Sequence, residues 1–245
     1  MAESCLDPKK ERLLAEFSDA MRGLYGEDLV SLNLVGEAAM CEPDADRGQI
    51  KLVAVMREIG FQQLKKYREI GASWLKKGIH PPLMLTRETL DGSTDVFPIE
   101  YYEMKEAHRV LYGEDILSGL EISHENLRRQ CEEQVKGKFI HLRQAYMDCG
   151  GEREPVARLI SASIPHFAGV MRNIMRLTGM HVMAGKTDAV REFCAKFGLS
   201  AGPFEEALAL RTSGRVPPIE AVERLFGSYL KEVGRLAELI DKLTF

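Results

Sequence analysis

Carboxylates, histidines and cysteines are the side chains of this chain that could hold a metal or move a proton, and their spacing limits the chemistry. Asp44 and Asp46 form an Asp-x-Asp pair. On a strand that spacing puts both carboxylates on one face, where their oxygens could hold Mg²⁺. Here the pair sits in residues 41–48 (CEPDADRG), a polar connection containing Pro and Gly, ahead of an apolar run rather than at its start. His80, His108, His124, His141 and His166 show no HxxxH or HExxH spacing, so no dedicated metal site is expected from them. Cys5, Cys41, Cys131, Cys149 and Cys194 are odd in number and never in a CxxC spacing, which argues against both a disulfide framework and a zinc ribbon. They read as reduced, partly buried thiols. The group Arg128, Arg129, Lys136, Lys138 and Arg143 could touch RNA, but the interleaved Glu132 and Glu133 make it read as a solvated, ion-paired helix face.

The elements that must position such residues come from the periodicity of a chain of 245 residues, 45% of them hydrophobic. That is enough for one large core or two modest ones. A net charge of −4, with 33 Lys+Arg against 37 Asp+Glu, gives no global field toward nucleic acid or an anionic membrane. No apolar run approaches the ~18 residues needed to span a bilayer, and the first residues lack a signal-peptide core. The expectation is a cytoplasmic protein with no membrane partner.

Residues 9–25 carry Leu13, Leu14, Phe17, Met21 and Leu24 at three- and four-residue spacing, which predicts an amphipathic helix ending near Gly26. Leu29–Val35 alternates apolar residues with Ser31 and Asn33, predicting a strand with one buried face, and residues 50–56 predict a second strand paired with or beside the first. A helix is predicted over 61–75, stopped by Gly78 and the Pro81-Pro82 pair. Residues 83–85 and 96–101 read as short β segments, although Pro98 confines the latter to an edge or bulge, and 110–112 reads as an edge strand. After about Glu121 the β-type runs stop and 3.6-residue periodicity takes over. One helix carries Leu127 to Tyr146, a second carries Val156 to Ile174 with a kink expected at Pro165, and a last one opens at Pro217-Pro218 with a stripe from Val222 to Leu243. The fold class expected is α+β: a mixed sheet flanked by helices over 1–120, then a helical bundle over 121–245.

The order helix, strand, Gly-containing turn, strand, helix, strand, with helices behind it, resembles the nucleotidyltransferase superfamily that includes kanamycin nucleotidyltransferase and the polymerase-β-like enzymes. The segments that carry the resemblance are Leu34-Val35-Gly36-Glu37, residues 49–55 (QIKLVAV), and residues 95–115 (DVFPIEYYEMKEAHRVLYGED). In that family a Gly-Ser turn brings backbone N–H groups to the phosphates, and an Asp-x-Asp plus a third carboxylate hold the Mg²⁺. The resemblance therefore places nucleotide-binding positions at Gly36, Glu37, Gln49 and Lys51. It offers Glu100, with Asp95 second, as the surviving third carboxylate.

The departures matter chemically. Gln49 and Lys51 stand where the two aspartates belong, which moves the local formal charge from two negatives to one positive. Glu37 stands where the serine belongs and sets a negative charge where phosphates would approach. The implied protein is a catalytically inactive, nucleotidyltransferase-like binder of a nucleotide or a protein partner, with no cofactor. Lys51 is then either a metal-free phosphate anchor or a solvent-facing strand-end lysine. An alternative keeps Mg²⁺-dependent transfer with Glu100 and Asp46 as displaced catalytic carboxylates. In another, the helical half forms a homodimer through the Val222 to Leu243 stripe. Glu100 reads equally as the polar side of an edge strand, and His108 with Arg109 as cleft lining or as a turn held by local hydrogen bonds. Arg176 and His181 have the R-x4-H spacing of a ribonuclease motif found in some helical domains partnered with nucleotidyltransferases, but Gly179 between them should end the helix.

Overall fold

The computed structural model describes residues 6–40, 50–180 and 185–243. The chain divides into two compact units, Met1–Ser123 and His124–Phe245. Together they make an α+β protein with a small mixed sheet and a larger helical content.

The first unit begins with α1 (Pro8–Tyr25), whose start is set by Pro8 at the first helical position and by the Asp7 carboxylate accepting from Lys9 N–H at 2.8 Å. Gly26, at φ 54°, ends it. Strands β1 (Leu29–Val35) and β2 (Lys51–Met56) pair antiparallel, with Val35 opposite Lys51 and Leu32 opposite Ala54. Helix α2 (Phe61–Lys76) then returns the chain to β3 (Leu83–Thr86), parallel to β2, and β4 (His108–Gly113) pairs antiparallel with the other side of β1. The sheet order is β3-β2-β1-β4.

Alternation along the strands sends Leu32, Leu34, Leu52, Ala54 and Met56 to one face, where Leu14, Phe17 and Met21 of α1 and Tyr67 and Trp74 of α2 cover them. Phe17 and Trp74 meet edge to face at 5.1 Å between ring centroids. The other face carries Val35, Val53 and Val55 under Leu90, Tyr101, Ile116, Leu117 and Leu120. Each large side chain buried in this way contributes about 1.5–3 kcal/mol. Coverage of both faces corrects the one-sided strand expected for Leu29–Val35, since Ser31 and Asn33 are fully buried. Ser31 Oγ donates to the Glu114 carbonyl at 2.6 Å and accepts from Asn33 Nδ2 at 2.9 Å.

A second correction concerns residues 96–101. They are not a strand; Pro98 opens α4 (Pro98–Glu106), following the short α3 (Arg87–Asp91). Proline's fixed φ suits a first helical position and its missing N–H costs nothing there, so the residue that weakened the strand starts a helix. Val96 and Phe97, the apolar start of the expected strand, remain 57% and 48% exposed.

The second unit contains α5 (His124–Asp148), α6 (Arg153–Leu177), α7 (Lys186–Phe197), α8 (Gly202–Ser213) and α9 (Ile219–Lys242). The α9 stripe, including Val222, Tyr229, Val233, Leu236 and Ile240, is buried within the chain itself. Tyr229 packs edge to face on Phe167 and Phe204, and its hydroxyl lies 3.0 Å from Ser163 Oγ. Helix α6 continues through Pro165. Proline cannot donate to the carbonyl four residues back, Ser161, and Arg211 of α8 donates to that oxygen instead at 2.9 Å. Three of the basic residues of α5 are ion-paired: Arg128 and Lys136 each reach Glu132 at 2.7 Å, Lys136 also reaches Asp241 at 2.7 Å, and Arg129 reaches Glu125 at 3.2 Å. No helix among the described residues is long and apolar enough to cross a membrane.

Candidate functional site

Three strands meet in one row at the end of the sheet where β1 finishes. Val35 is opposite Lys51 of β2 on one side and His108 of β4 on the other. Paired residues point to the same face, and two strand spacings separate Lys51 from His108 by about 10 Å between backbones. Gly36 follows Val35 directly, at φ 78°, and the chain turns there into a 3-10 turn, Glu37–Ala39. The left-handed backbone favours glycine at this corner, and a Cβ there would meet nothing within 4 Å, so the turn lies open.

Lys51 is exposed and has no carboxylate partner among the described residues. The Gly36 N–H is already committed to the Ala107 carbonyl at 2.8 Å, and the Gly36 carbonyl accepts from Ala39 N–H at 2.9 Å. The turn therefore does not offer the Gly36 N–H to a phosphate, whereas the ammonium of Lys51 is an exposed donor at this corner.

The other candidate positions are not assembled with it. Glu100 lies in the first turn of α4 and is exposed, not on a strand beside β2, and Asp95 is exposed ahead of that helix. Gln49, Asp44 and Asp46 lie outside the described residues, as does His181 of the R-x4-H spacing. Helix α6 ends before that point at Leu177, with Gly179 at φ 70°. The Arg176 guanidinium donates to Asn173 Oδ1 at 2.8 Å. Among the described residues no group of three or more His, Cys, Asp or Glu is placed to hold a metal ion.

His108 is held from both ring nitrogens. The Lys105 carbonyl can only accept, so Nδ1 carries a proton and donates to it at 2.9 Å, while Nε2 faces Asp115 Oδ1 at 2.9 Å. Gly113, at φ 80°, reverses the chain after β4 and brings Asp115 back alongside His108. Burial acts to raise the Asp115 carboxyl, but hydrogen bonds from Ser118 and His108 outweigh it and hold the group below the usual carboxylate range. His108 and Arg109 open strand β4 rather than a connecting turn, although the hydrogen bonds of His108 itself are local ones, to Lys105 and Asp115. Its neighbour Arg109 reaches α1, where Nη1 and Nη2 meet the two carboxylate oxygens of Glu11 at 2.9 and 3.1 Å.

Sequence reasoning missed that the Gly36 amide is consumed by Ala107. The signal was present only as Gly36 followed, some seventy positions later, by the start of β4, and pairing across such a distance is not visible in periodicity. No family model matches the chain, and no curated protein matches it.

Proposed function

We propose that this chain is a binding protein on a nucleotidyltransferase-like scaffold, one that holds the phosphates of a nucleotide at Lys51 without metal-dependent transfer. The observation that carries the reading is the β1–β2 register. It sets an exposed ammonium, with no carboxylate partner among the described residues, directly across from Val35, beside the turn at Gly36. An exposed ammonium attracts the negative charges of a triphosphate. At about 4 Å each unit charge contributes roughly 1 kcal/mol in water and about 4 kcal/mol at the effective dielectric of a protein surface.

The described residues of this corner do not fit a Mg²⁺ cage. Magnesium takes oxygen ligands in octahedral geometry, whereas Lys51 brings a positive charge and Glu100 sits on a helix. The proposed chemistry is charge recognition at a strand end, with the filled apolar face of Val53 and Val55 behind it.

Calorimetric titration of ATP, GTP, CTP and UTP into the full chain, each with and without Mg²⁺, tests this reading. Binding that needs no metal and disappears in Lys51→Ala supports it. Binding that appears only with Mg²⁺, or turnover of the triphosphate lost in Asp46→Asn or Glu100→Gln, would replace it with the enzyme reading. No binding of any triphosphate would reject it.

A further inference from the structure

We propose that the outward face of α2 is a docking surface for a partner helix bearing acidic residues along its flanks. Phe61, Leu64, Arg68, Gly71 and Leu75 follow the three-four spacing of an a/d seam. Phe61 is 75% exposed, Leu64 50% and Leu75 52%. They are not the stripe by which α2 packs on its own sheet, because Tyr67 and Trp74 fill that role about a quarter-turn further round the helix and are buried. A helix whose apolar stripe extends past the part its own sheet covers has further surface to cover.

The charge around the seam states what kind of partner covers it. Helix α2 carries Lys65, Lys66, Arg68 and Lys76 against a single acidic residue, Glu69, in a chain whose net charge is −4. Lys65, Arg68 and Lys76 are exposed beside or within the seam, and none of them pairs with a carboxylate among the described residues. A second copy of the same face would set these cations against their own equivalents, which opposes homodimerisation through α2. Heptad spacing is required by an opposing helix, whose side chains must fit between ridges, whereas a lipid surface imposes no such register. Gly71 leaves the middle of the seam low, since the space a Cβ would need there is taken by the Tyr67 ring at 2.8 Å. No residue of this surface belongs to the Gly36–Lys51 corner, so the two proposals stand or fall separately.

The test uses the full chain and two fluorescently labelled model helices, both with leucine at a and d, one with glutamate and the other with lysine at e and g. Anisotropy titrations should show the glutamate peptide binding at least about tenfold more tightly than the lysine peptide. The charge-reversed chain K65E/R68E/K76E should invert that preference, and F61A/L64A should weaken the glutamate peptide by about tenfold or more. All five positions are exposed, and circular dichroism of each variant checks that the fold persists. The proposal is overturned if the wild type binds neither peptide or both equally. It is also overturned if phosphatidylserine vesicles sediment the wild type but not F61A/L64A, or if the chain self-associates in a manner lost in F61A/L64A.

Discussion

Arg109 of β4 and Glu11 of α1, 98 residues apart, meet through a two-pronged contact at 2.9 and 3.1 Å, with each side chain 29% exposed. The fork fixes the first helix against an edge strand of the sheet. Paired, partly buried guanidinium and carboxylate groups exceed ordinary surface ion pairs because two parallel hydrogen bonds share one geometry. A double-mutant cycle on Glu11→Gln and Arg109→Met, read by urea unfolding, should give a coupling of about 1 kcal/mol. Strict additivity of the two single effects would mean that the contact does not tie α1 to the sheet.

Gly113 should be the least replaceable glycine in the first unit. Its φ is 80°, and a Cβ would sit 1.9 Å from the Val30 carbonyl oxygen, a backbone atom that cannot move aside cheaply. Gly113→Ala is expected to cost about 3 kcal/mol or more. Gly26→Ala, also at positive φ but with nothing within 4 Å, should cost about 1 kcal/mol. Equal losses of Tm in the two variants would contradict the close approach of β4 to β1.

Arg211 and Pro165 should be energetically coupled although they do not touch through their side chains. Arg211→Met leaves the Ser161 carbonyl without its donor and should cost about 1 kcal/mol. In a Pro165→Ala background residue 165 regains an N–H that can reach Ser161, so the same Arg211 change should cost less. A cost unchanged by Pro165→Ala would show that Arg211 acts elsewhere.

The Asp115 carboxyl supplies a pH dependence with a defined sign. Its folded pKa lies below its unfolded value near 3.9, so the folded state binds fewer protons in that range. The resulting stability is fully present above the unfolded pKa and is lost as pH falls through the folded one. Unfolding measured from pH 6 down to pH 2 should show a steeper loss for the wild type than for Asp115→Asn. Parallel curves would remove Asp115 as a contributor.

Cys194 should resist alkylation. Burial, with Glu232 and Glu205 nearby, pushes its thiol up to about 12. Reaction requires the thiolate, so Cys149, which is only half-buried, should label first among Cys131, Cys149 and Cys194 when native protein is treated at pH 8 and mapped by mass spectrometry. Labelling of Cys194 at the rate of Cys149 would show that this part of the second unit opens readily.

Local patterns in the sequence determined much of the secondary structure. The three- and four-residue spacing of Leu14, Phe17 and Met21, the alternation of Leu29–Val35 and the Val222 to Ile240 stripe each encode one element within its own stretch of chain. Such patterns work because a helix or strand repeats the same geometry at every residue.

Only the tertiary structure decided which faces were buried and which donors remained. The polar Ser31 and Asn33 imply a wetted strand face until α3, α4 and the residues after β4 close over it, and Pro98 reads as a strand edge until its chain neighbours fold as α4. The amide of Gly36 is available in the sequence and taken in the structure, because Ala107 arrives beside it from 71 residues away. The Val222 stripe is equally suited to a core or a dimer, and the packing of α9 on α5, α6 and α8 consumes it. Periodicity specifies that an apolar face must be covered, but the identity of the cover depends on contacts between segments that no local pattern contains.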